Sequence, residues 1–313
     1  MDDPITEDAL FKLLGNDTRM AILEALWAEF DIELYMLGSQ VPMPFSELRA
    51  AAGVEDVGNF NYHLRQLEGQ IVHVVTDETG ETSGYVLSPL GFSLFHAIEG
   101  HTAFDYQAIE ATRLEEACPF CTGRLEAEYE REILAVRCLD CEAHGGGSLS
   151  RVRVQAGSTV ADIREVLDLS VLAMLSSFTA GRFGRCRSCH APVELALMTA
   201  ETHPDVLAAN RSEAVCRVRC DSCGAGGFGP LYEYALAAPS LQTFFSSHGL
   251  GPTAGLWSYR LEVLRRLEER IVNTEPVVVA YCFRIDGDDH RLHISRSSDG
   301  LDITEQTVED MSE

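Results

Sequence analysis

Cysteines are the residues of this sequence best placed to do chemistry, because eight of the ten form Cys-x-x-Cys pairs. Sixteen residues separate the pair Cys118/Cys121 from Cys138/Cys141, and thirty separate Cys186/Cys189 from Cys220/Cys223. A Cys-x-x-Cys turn places two sulfurs on one side of a tight loop, and two such loops joined by a hairpin complete a tetrahedral S4 site. The spacing therefore predicts two zinc ribbons, and two zinc ions per chain, with these eight cysteines as ligands.

Four thiolates close the coordination shell of zinc and leave no position for water or substrate, so both sites are predicted to be structural. The alternatives to zinc binding are free thiols that fall in this spacing by chance and a redox-active dithiol. The rest of the sequence shows no convincing nucleophile arrangement, phosphate loop or His-Glu-x-x-His helix. We therefore predict that the protein is not an enzyme.

The two cysteine sets repeat each other. Residues 135–141 parallel residues 217–223, and a glycine-rich run follows each. This similarity predicts an internal duplication, in which the second ribbon carries a longer insert over residues 194–212. The remaining cysteines and two nearby histidines are predicted not to be metal ligands. Cys216 and Cys282 are predicted to be small core residues, and His144 and His190 lie beside sites that already have four ligands.

Composition and charge bear on the environment of the protein. The chain has 313 residues, 46% of them hydrophobic, which excludes general disorder. Its net charge is −25, and Lys12 is the only lysine among 24 basic residues. An acidic, lysine-poor composition predicts the molar-salt cytoplasm of a halophilic archaeon. The acidic start and the lack of ~20 consecutive apolar residues predict a cytoplasmic protein with no secretory signal and no membrane span.

The first third of the chain has the element order of a winged helix-turn-helix. Apolar spacing predicts helices within residues 6–28, with an N-cap within Asn16-Asp17-Thr18, and a short helix over 47–52 capped by Ser46. A further helix over 57–68, capped by Asp56, precedes two strands around a hairpin tip at 77–81. The last helix of this part opens at Pro89 and is predicted to continue toward Glu116.

Four segments of this part carry a family resemblance. They are Leu13–Leu23 (LLGNDTRMAIL), Phe45–Leu48 (FSEL), Gly58–Leu67 (GNFNYHLRQL) and Tyr85–Gly91 (YVLSPLG). Together they resemble the ArsR-like winged-helix transcription regulators, in which the third segment is the recognition helix. The ribbons followed by a C-terminal α/β piece are similar to the accessory half of haloarchaeal regulators.

The resemblance implies a DNA-binding transcription regulator. We also predict a homodimer paired through the N-terminal helix and the helix from Leu90 onward, because that face is apolar beyond what one domain needs. The residues implied at the DNA are Ser46, Gly58, Asn59, Asn61, Tyr62 and Arg65. Asn pairs with adenine, and Arg with guanine or phosphate. Residues 47–52 hold no cysteine or histidine, so the metal sensing of some family members is not carried over. A merely solvated polar helix face is the alternative.

Electrostatics oppose simple phosphate binding, because residues 1–100 hold 17 acidic and 4 basic residues. An acidic DNA reader in molar salt must depend on base contacts and shape fit. Arginines instead collect around the ribbons, where either a protein or RNA contact or ion pairing with local glutamates explains them. They are Arg137, Arg151, Arg153, Arg182, Arg185, Arg187, Arg211, Arg217 and Arg219.

Two rival functions stay open at this point. One is a ribbon-based protein- or RNA-interaction module with the winged helix as a docking domain, and the other is a thiol or metal sensor that uses Cys216. The predicted fold class is α+β and multidomain. The predicted ranges are 1–116 (winged helix with dimerisation helix), 117–157 (ribbon 1), 158–181 (linking helix), 182–235 (ribbon 2), 236–303 (α/β unit) and 304–313 (acidic tail).

Overall fold

A computed structural model gives a mixed α+β chain with several sheets that divides into two compact units, Met1–Phe104 and Asp105–Glu313. It describes residues 6–31, 33–34, 40–102, 108–141, 148–154, 160, 162–200, 203, 212–298 and 300–305. Among these residues, no helix is long and apolar enough to cross a membrane.

The first unit consists of helices and one β-hairpin. Its elements are α1 (Glu7–Leu14), α2 (Asp17–Ala28), α3 (Phe45–Ala51), α4 (Val57–Leu67), β1 (Val72–Thr76), β2 (Thr82–Leu87) and α5 (Pro89–Thr102). The strands β1 and β2 pair antiparallel. Met43 adds a single bridge to Tyr85 of β2, with hydrogen bonds of 3.0 and 2.9 Å in the two directions.

Local sequence signals explain where these helices begin. Asn16 accepts a hydrogen bond from the backbone of Arg19, and Asp56 accepts one from Asn59, so both predicted N-caps are confirmed. The predicted cap at Ser46 is wrong. Pro44 occupies the N-cap position of α3 without a side-chain hydrogen bond, and Ser46 is an exposed residue of the first turn.

The extended final helix of this unit is also a wrong prediction. Helix α5 ends at Thr102, and Ile109–Ala117 forms strand β3. That strand pairs with its neighbour through Thr112 opposite Ala127, and it buries Leu114 in the core of the second unit. Residues 101–116 therefore supply no continuous dimerisation helix, because part of this segment is satisfied by sheet hydrogen bonds.

The second unit combines three antiparallel sheets with helices. Its elements are β3 (Ile109–Ala117), β4 (Arg124–Glu130), β5 (Ile133–Cys138), β6 (Ser148–Arg153), α6 (Ile163–Arg182), β7 (Glu194–Thr199), β8 (Ala214–Arg219), β9 (Gly226–Pro230), α7 (Tyr232–Ala235), α8 (Pro239–Ser247), α9 (Leu256–Arg265), β10 (Leu267–Thr274), β11 (Val277–Ile285), β12 (Asp288–Arg296) and β13 (Leu301–Glu305). The sheet orders are β3-β4-β5-β6, β7-β8-β9 and β10-β11-β12-β13.

One hydrophobic core joins the ranges that the sequence analysis separates into ribbons, linker and α/β unit. Helix α6 crosses this core and buries Val166, Leu167 and Val171. Helices α7, α8 and α9 lie between Tyr232 and Arg265, and β10 begins at Leu267. Strands β11 and β12 pair antiparallel as a hairpin. Strand β13 reaches into the predicted tail, and residues 306–313 lie outside the described residues.

Candidate metal centres and nucleic-acid interface

The first four predicted ligands converge on one point. The ligand atoms of Cys118, Cys121, Cys138 and Cys141 all lie within 4.8 Å of one another. Three Sγ–Sγ distances are 3.8 Å (Cys118–Cys141), 3.4 Å (Cys121–Cys138) and 3.2 Å (Cys121–Cys141). Sulfurs at ~2.3 Å from a tetrahedral zinc ion stand ~3.8 Å apart, so the cluster has the donor set and nearly the dimensions of a metal site.

The second set of ligands forms an equivalent cluster. The sulfurs of Cys186, Cys189, Cys220 and Cys223 lie within 4.8 Å of one another. The Sγ–Sγ distance is 3.6 Å from Cys186 to Cys223 and 3.5 Å from Cys189 to Cys220. The two clusters are therefore consistent with two metal sites per chain.

Backbone hydrogen bonds explain why the cysteine pairs adopt this geometry. In the first, third and fourth pairs, the residue after the second cysteine donates to the carbonyl of the first cysteine, at 2.9–3.0 Å. These residues are Thr122, His190 and Gly224, with φ of 58°, 57° and 71°. A left-handed residue at this position turns the chain tightly enough to aim both sulfurs at one point.

Hydrogen bonds also shift the pKa values of the cysteine thiols. Backbone N–H groups of Cys189 and Ser188 point at the Cys186 sulfur and lower its pKa to about 6. The neighbouring thiol of Cys141 raises the pKa of Cys121 to about 12. Some thiols of the metal-free clusters therefore keep their protons at neutral pH, and a cation must displace these protons when it binds.

An ion pair ties the two loops of the first cluster together. Arg124, which follows the first cysteine pair, donates to Asp140 of the second pair from its backbone and its guanidinium, at 2.6 Å in each case. These hydrogen bonds hold the pKa of Asp140 well below its usual range. The contact adds a bridge between the loops that does not depend on metal.

The strand order supports the predicted duplication. In each ribbon the central strand leads into the second cysteine pair and lies between two antiparallel neighbours: β4 and β6 for β5, and β7 and β9 for β8. Superposing Cys138 on Cys220 places Cys216 at the position of Leu134, a fully buried strand residue. Burial raises the pKa of Cys216 to about 11, so this thiol is protonated at neutral pH.

Among the described residues, His190 and Cys282 lie outside the clusters. His190 is exposed and provides the left-handed turn residue rather than a ligand. Cys282 is half-buried, which corrects its prediction as core: it lies on the face of β11 opposite the buried Tyr281 and Phe283. His144 and Arg211 lie outside the described residues.

The arginines around the ribbons divide into two groups. Arg137, Arg153, Arg217 and Arg219 form ion pairs with Glu126, Glu132, Glu194 and Asp221. Within the described ranges, Arg151, Arg185 and Arg187 make no side-chain hydrogen bond or ion pair. Arg182 lies against the Phe183 ring, 5.7 Å from its centroid. Ion pairing thus accounts for only part of the predicted cluster.

Helix α4 presents the predicted DNA-reading residues on one side. Phe60, Leu64 and Leu67 are fully buried, at i, i+4 and i+7. The opposite face exposes Gly58, Asn59, Tyr62 and Arg65 and leaves Asn61 half-buried. These five residues share the solvent side of α4, and Ser46 is exposed on α3.

The hairpin of the first unit is acidic where it turns. Its tip carries Asp77, Glu78 and Glu81. The Thr79 hydroxyl and backbone N–H groups donate to Asp77 and lower the pKa of that carboxyl, so it stays charged in mildly acidic solution. A negatively charged tip disfavours contact with phosphate and leaves α4 as the better candidate for reading DNA.

Sequence reasoning missed a buried ion pair in the second unit. Arg260 of α9 and Glu233 of α7 are 3% and 5% exposed, and their side chains meet at 2.7 Å. The sequence holds a signal for it, since Arg260 lies in the same helical stripe as Trp257 and Leu264, which are core residues.

Comparisons with known proteins match the same division of the chain. A family model described as Domain of unknown function (DUF7351) matches residues 115–299, and a second, described as Domain of unknown function (DUF7347), matches residues 7–98. No curated protein and no solved structure matches this chain. The first model spans more than half of the chain and contains both cysteine clusters.

Proposed function

This chain belongs to the DUF7351 family, and from its own residues we propose that it is a DNA-binding transcription regulator. The N-terminal unit would be an ArsR-like winged helix that reads DNA with α4. The proposal rests mainly on the division of α4 into a buried apolar face and a solvent-facing side with Asn59, Asn61, Tyr62 and Arg65. Among the described residues, the order of helices α1 to α4, the β1–β2 hairpin and helix α5 supports this assignment.

The acidic surface determines the kind of DNA binding proposed. The unit gains little from phosphate neutralisation, and in molar salt counterion release contributes little in any case. Specificity would then come from base edges, where Asn61 and Arg65 have the donors and acceptors for adenine and guanine. We propose a homodimer, so that two copies of α4 read two half-sites.

Footprinting on the DNA upstream of its own gene, in molar KCl, tests this function. We expect two protected half-sites related by a twofold axis, and loss of protection in the Asn61→Ala/Arg65→Ala variant. Lys12→Ala is the matched control, because its side chain is 76% exposed and, among the described residues, forms an ion pair with Asp8 alone. Loss of protection in the control as well would show that removing a positive charge, not base reading, matters.

A second candidate is an interaction module that binds protein or RNA through the ribbons. The unpaired Arg151, Arg185 and Arg187 and the acidic hairpin tip favour it. It predicts no footprint at any salt concentration and a co-purifying protein or RNA. The burial of Cys216 and its raised pKa disfavour the third candidate, a thiol sensor.

We propose zinc as the metal of both clusters, because four thiolates in tetrahedral reach are its preferred structural ligands. Zinc would hold each pair of loops together and take no part in a reaction. Metal analysis of protein purified without chelator should give two zinc ions per chain, and Cys121→Ser and Cys189→Ser should each lower that number. Protein that contains no metal and still folds would rule out the ribbons.

A further inference from the structure

A cavity of about 640 Å³ lies within the second unit, between the two ribbon sheets. Strands β6 and β9, which are the last strands of their sheets, border it, and helix α6 contributes Met174, Ser177 and Phe178. Its volume falls within the ~300–1,000 Å³ of small-molecule sites. Much of its wall is apolar, with Leu149, Val193, Val218 and Phe228 among the lining residues.

The charge of this cavity is opposite to that of the chain. Among the described residues, five arginines line it, namely Arg151, Arg153, Arg185, Arg187 and Arg260, against one carboxylate, Glu233. The whole chain has twice as many acidic as basic residues, 49 against 24. Three of the five, Arg151, Arg185 and Arg187, have no ion-pair partner among the described residues. These unpaired guanidinium groups favour a ligand with negative charge.

Arg260 supplies an independent sign of a missing partner. It is 3% exposed, and its Nη2 donates to Glu233 at 2.7 Å. Its Nε and Nη1 are buried and have no hydrogen-bond partner in the part of the chain that the structure describes. The Trp257 ring covers the guanidinium at 5.3 Å from the ring centroid. Buried donors of a charged group are rarely left unpaired, so these atoms call for an acceptor from outside the protein.

We propose that this cavity binds a small organic anion with an apolar body. The head group, a carboxylate or similar oxyanion, accepts hydrogen bonds from Arg260. The body lies against Met174, Phe178 and Val218. Glu233 neutralises only one charge, and the three unpaired arginines leave the site cationic. Binding at this cavity does not depend on the proposed reading of DNA.

Calorimetry with the full-length, metal-loaded protein in molar KCl tests the proposal, with decanoate as the probe. Decanol and decyltrimethylammonium are the neutral and cationic controls of the same chain length. We expect decanoate to bind with one site per chain and at least about tenfold more tightly than decanol, as a charged hydrogen bond predicts. Equal binding of decanoate and decanol, or no binding of decanoate, would overturn the proposal.

Two pairs of variants locate the site. Glu233→Gln/Arg260→Met removes both members of the buried pair together, so no single charge stays buried, and Arg113→Gln/Arg270→Gln removes two exposed arginines elsewhere in the same unit. We expect at least about a tenfold loss of decanoate affinity in the first variant and none in the second.

A cavity-filling variant covers the case in which the first pair fails to fold. Ser177→Trp places an indole in the cavity from α6, whereas its neighbour Ser176 is exposed and does not line the cavity. Ser177→Trp should abolish decanoate binding, and Ser176→Trp should retain it. Undiminished binding in Ser177→Trp would show that decanoate binds elsewhere and would refute the proposed site. Failure of the DNA footprint would leave all these results unaffected.

Discussion

At the scale of single residues, the geometry of the cysteine clusters depends on the backbone conformation of the residue that follows a cysteine pair. It depends less on which side chain that residue carries. Thr122, His190 and Gly224 occupy the same left-handed position in three cysteine turns, with φ between 57° and 71°. Only glycine takes this conformation without a steric cost, which is roughly 1–2 kcal/mol for other residues. The turn therefore carries strain at Thr122 and His190 that the metal-binding geometry must offset.

His190→Gly should relieve part of that strain and should not affect metal binding. We expect a stability gain of about 0.5–1 kcal/mol, since the entropy of the unfolded glycine chain offsets some of the relief. Thermal unfolding followed by circular dichroism measures the gain, and metal analysis should still find two ions per chain. The reverse change, Gly224→His, should destabilise by a similar amount. A lost metal ion in His190→Gly would make the imidazole a ligand.

At the scale of elements, helix α6 contributes to the shared core of the second unit, and a side-chain cap fixes its first turn. Asp162 accepts a hydrogen bond from the Glu165 backbone at 3.0 Å and is exposed to solvent. Asp162→Ala should therefore cost about 1 kcal/mol, whereas Asp162→Asn should keep the cap and most of the stability. Chemical denaturation of the metal-loaded protein compares the two. Equal losses would attribute the effect to charge rather than to capping.

Elements also show what the sequence could predict. The caps at Asn16 and Asp56 and the eight clustered cysteines follow from local spacing, because each depends on residues within one turn or one hairpin. The strand at Ile109–Ala117 does not, since its apolar residues suit a helix until β4 offers it a partner. The cavity and the Arg260–Glu233 pair arise only when α7, α9 and the sheet edges meet, and no local pattern encodes that meeting.

At the scale of the whole molecule, the charge is unevenly shared between the two units. Met1–Phe104 holds 17 of the 49 acidic and 4 of the 24 basic residues, for a net charge of −13. The remaining 32 acidic and 20 basic residues give Asp105–Glu313 a net charge of −12 over twice the length. Each unit has its own hydrophobic core. Repulsion between the negative charges of a unit should therefore lower the stability of that unit in particular.

The first unit should therefore need salt more than the second. Salt screens repulsion between surface carboxylates, and the charge per residue is about twice as high in the first unit, so raising KCl from low to molar concentration should raise its melting temperature more. Polypeptides 1–104 and 105–313, melted separately over a KCl series, provide the measurement. Replacing KCl by sucrose is the control, because sucrose strengthens apolar burial without screening charge. Equal responses of the two units to KCl would mean that their stability depends on salt through something other than net charge.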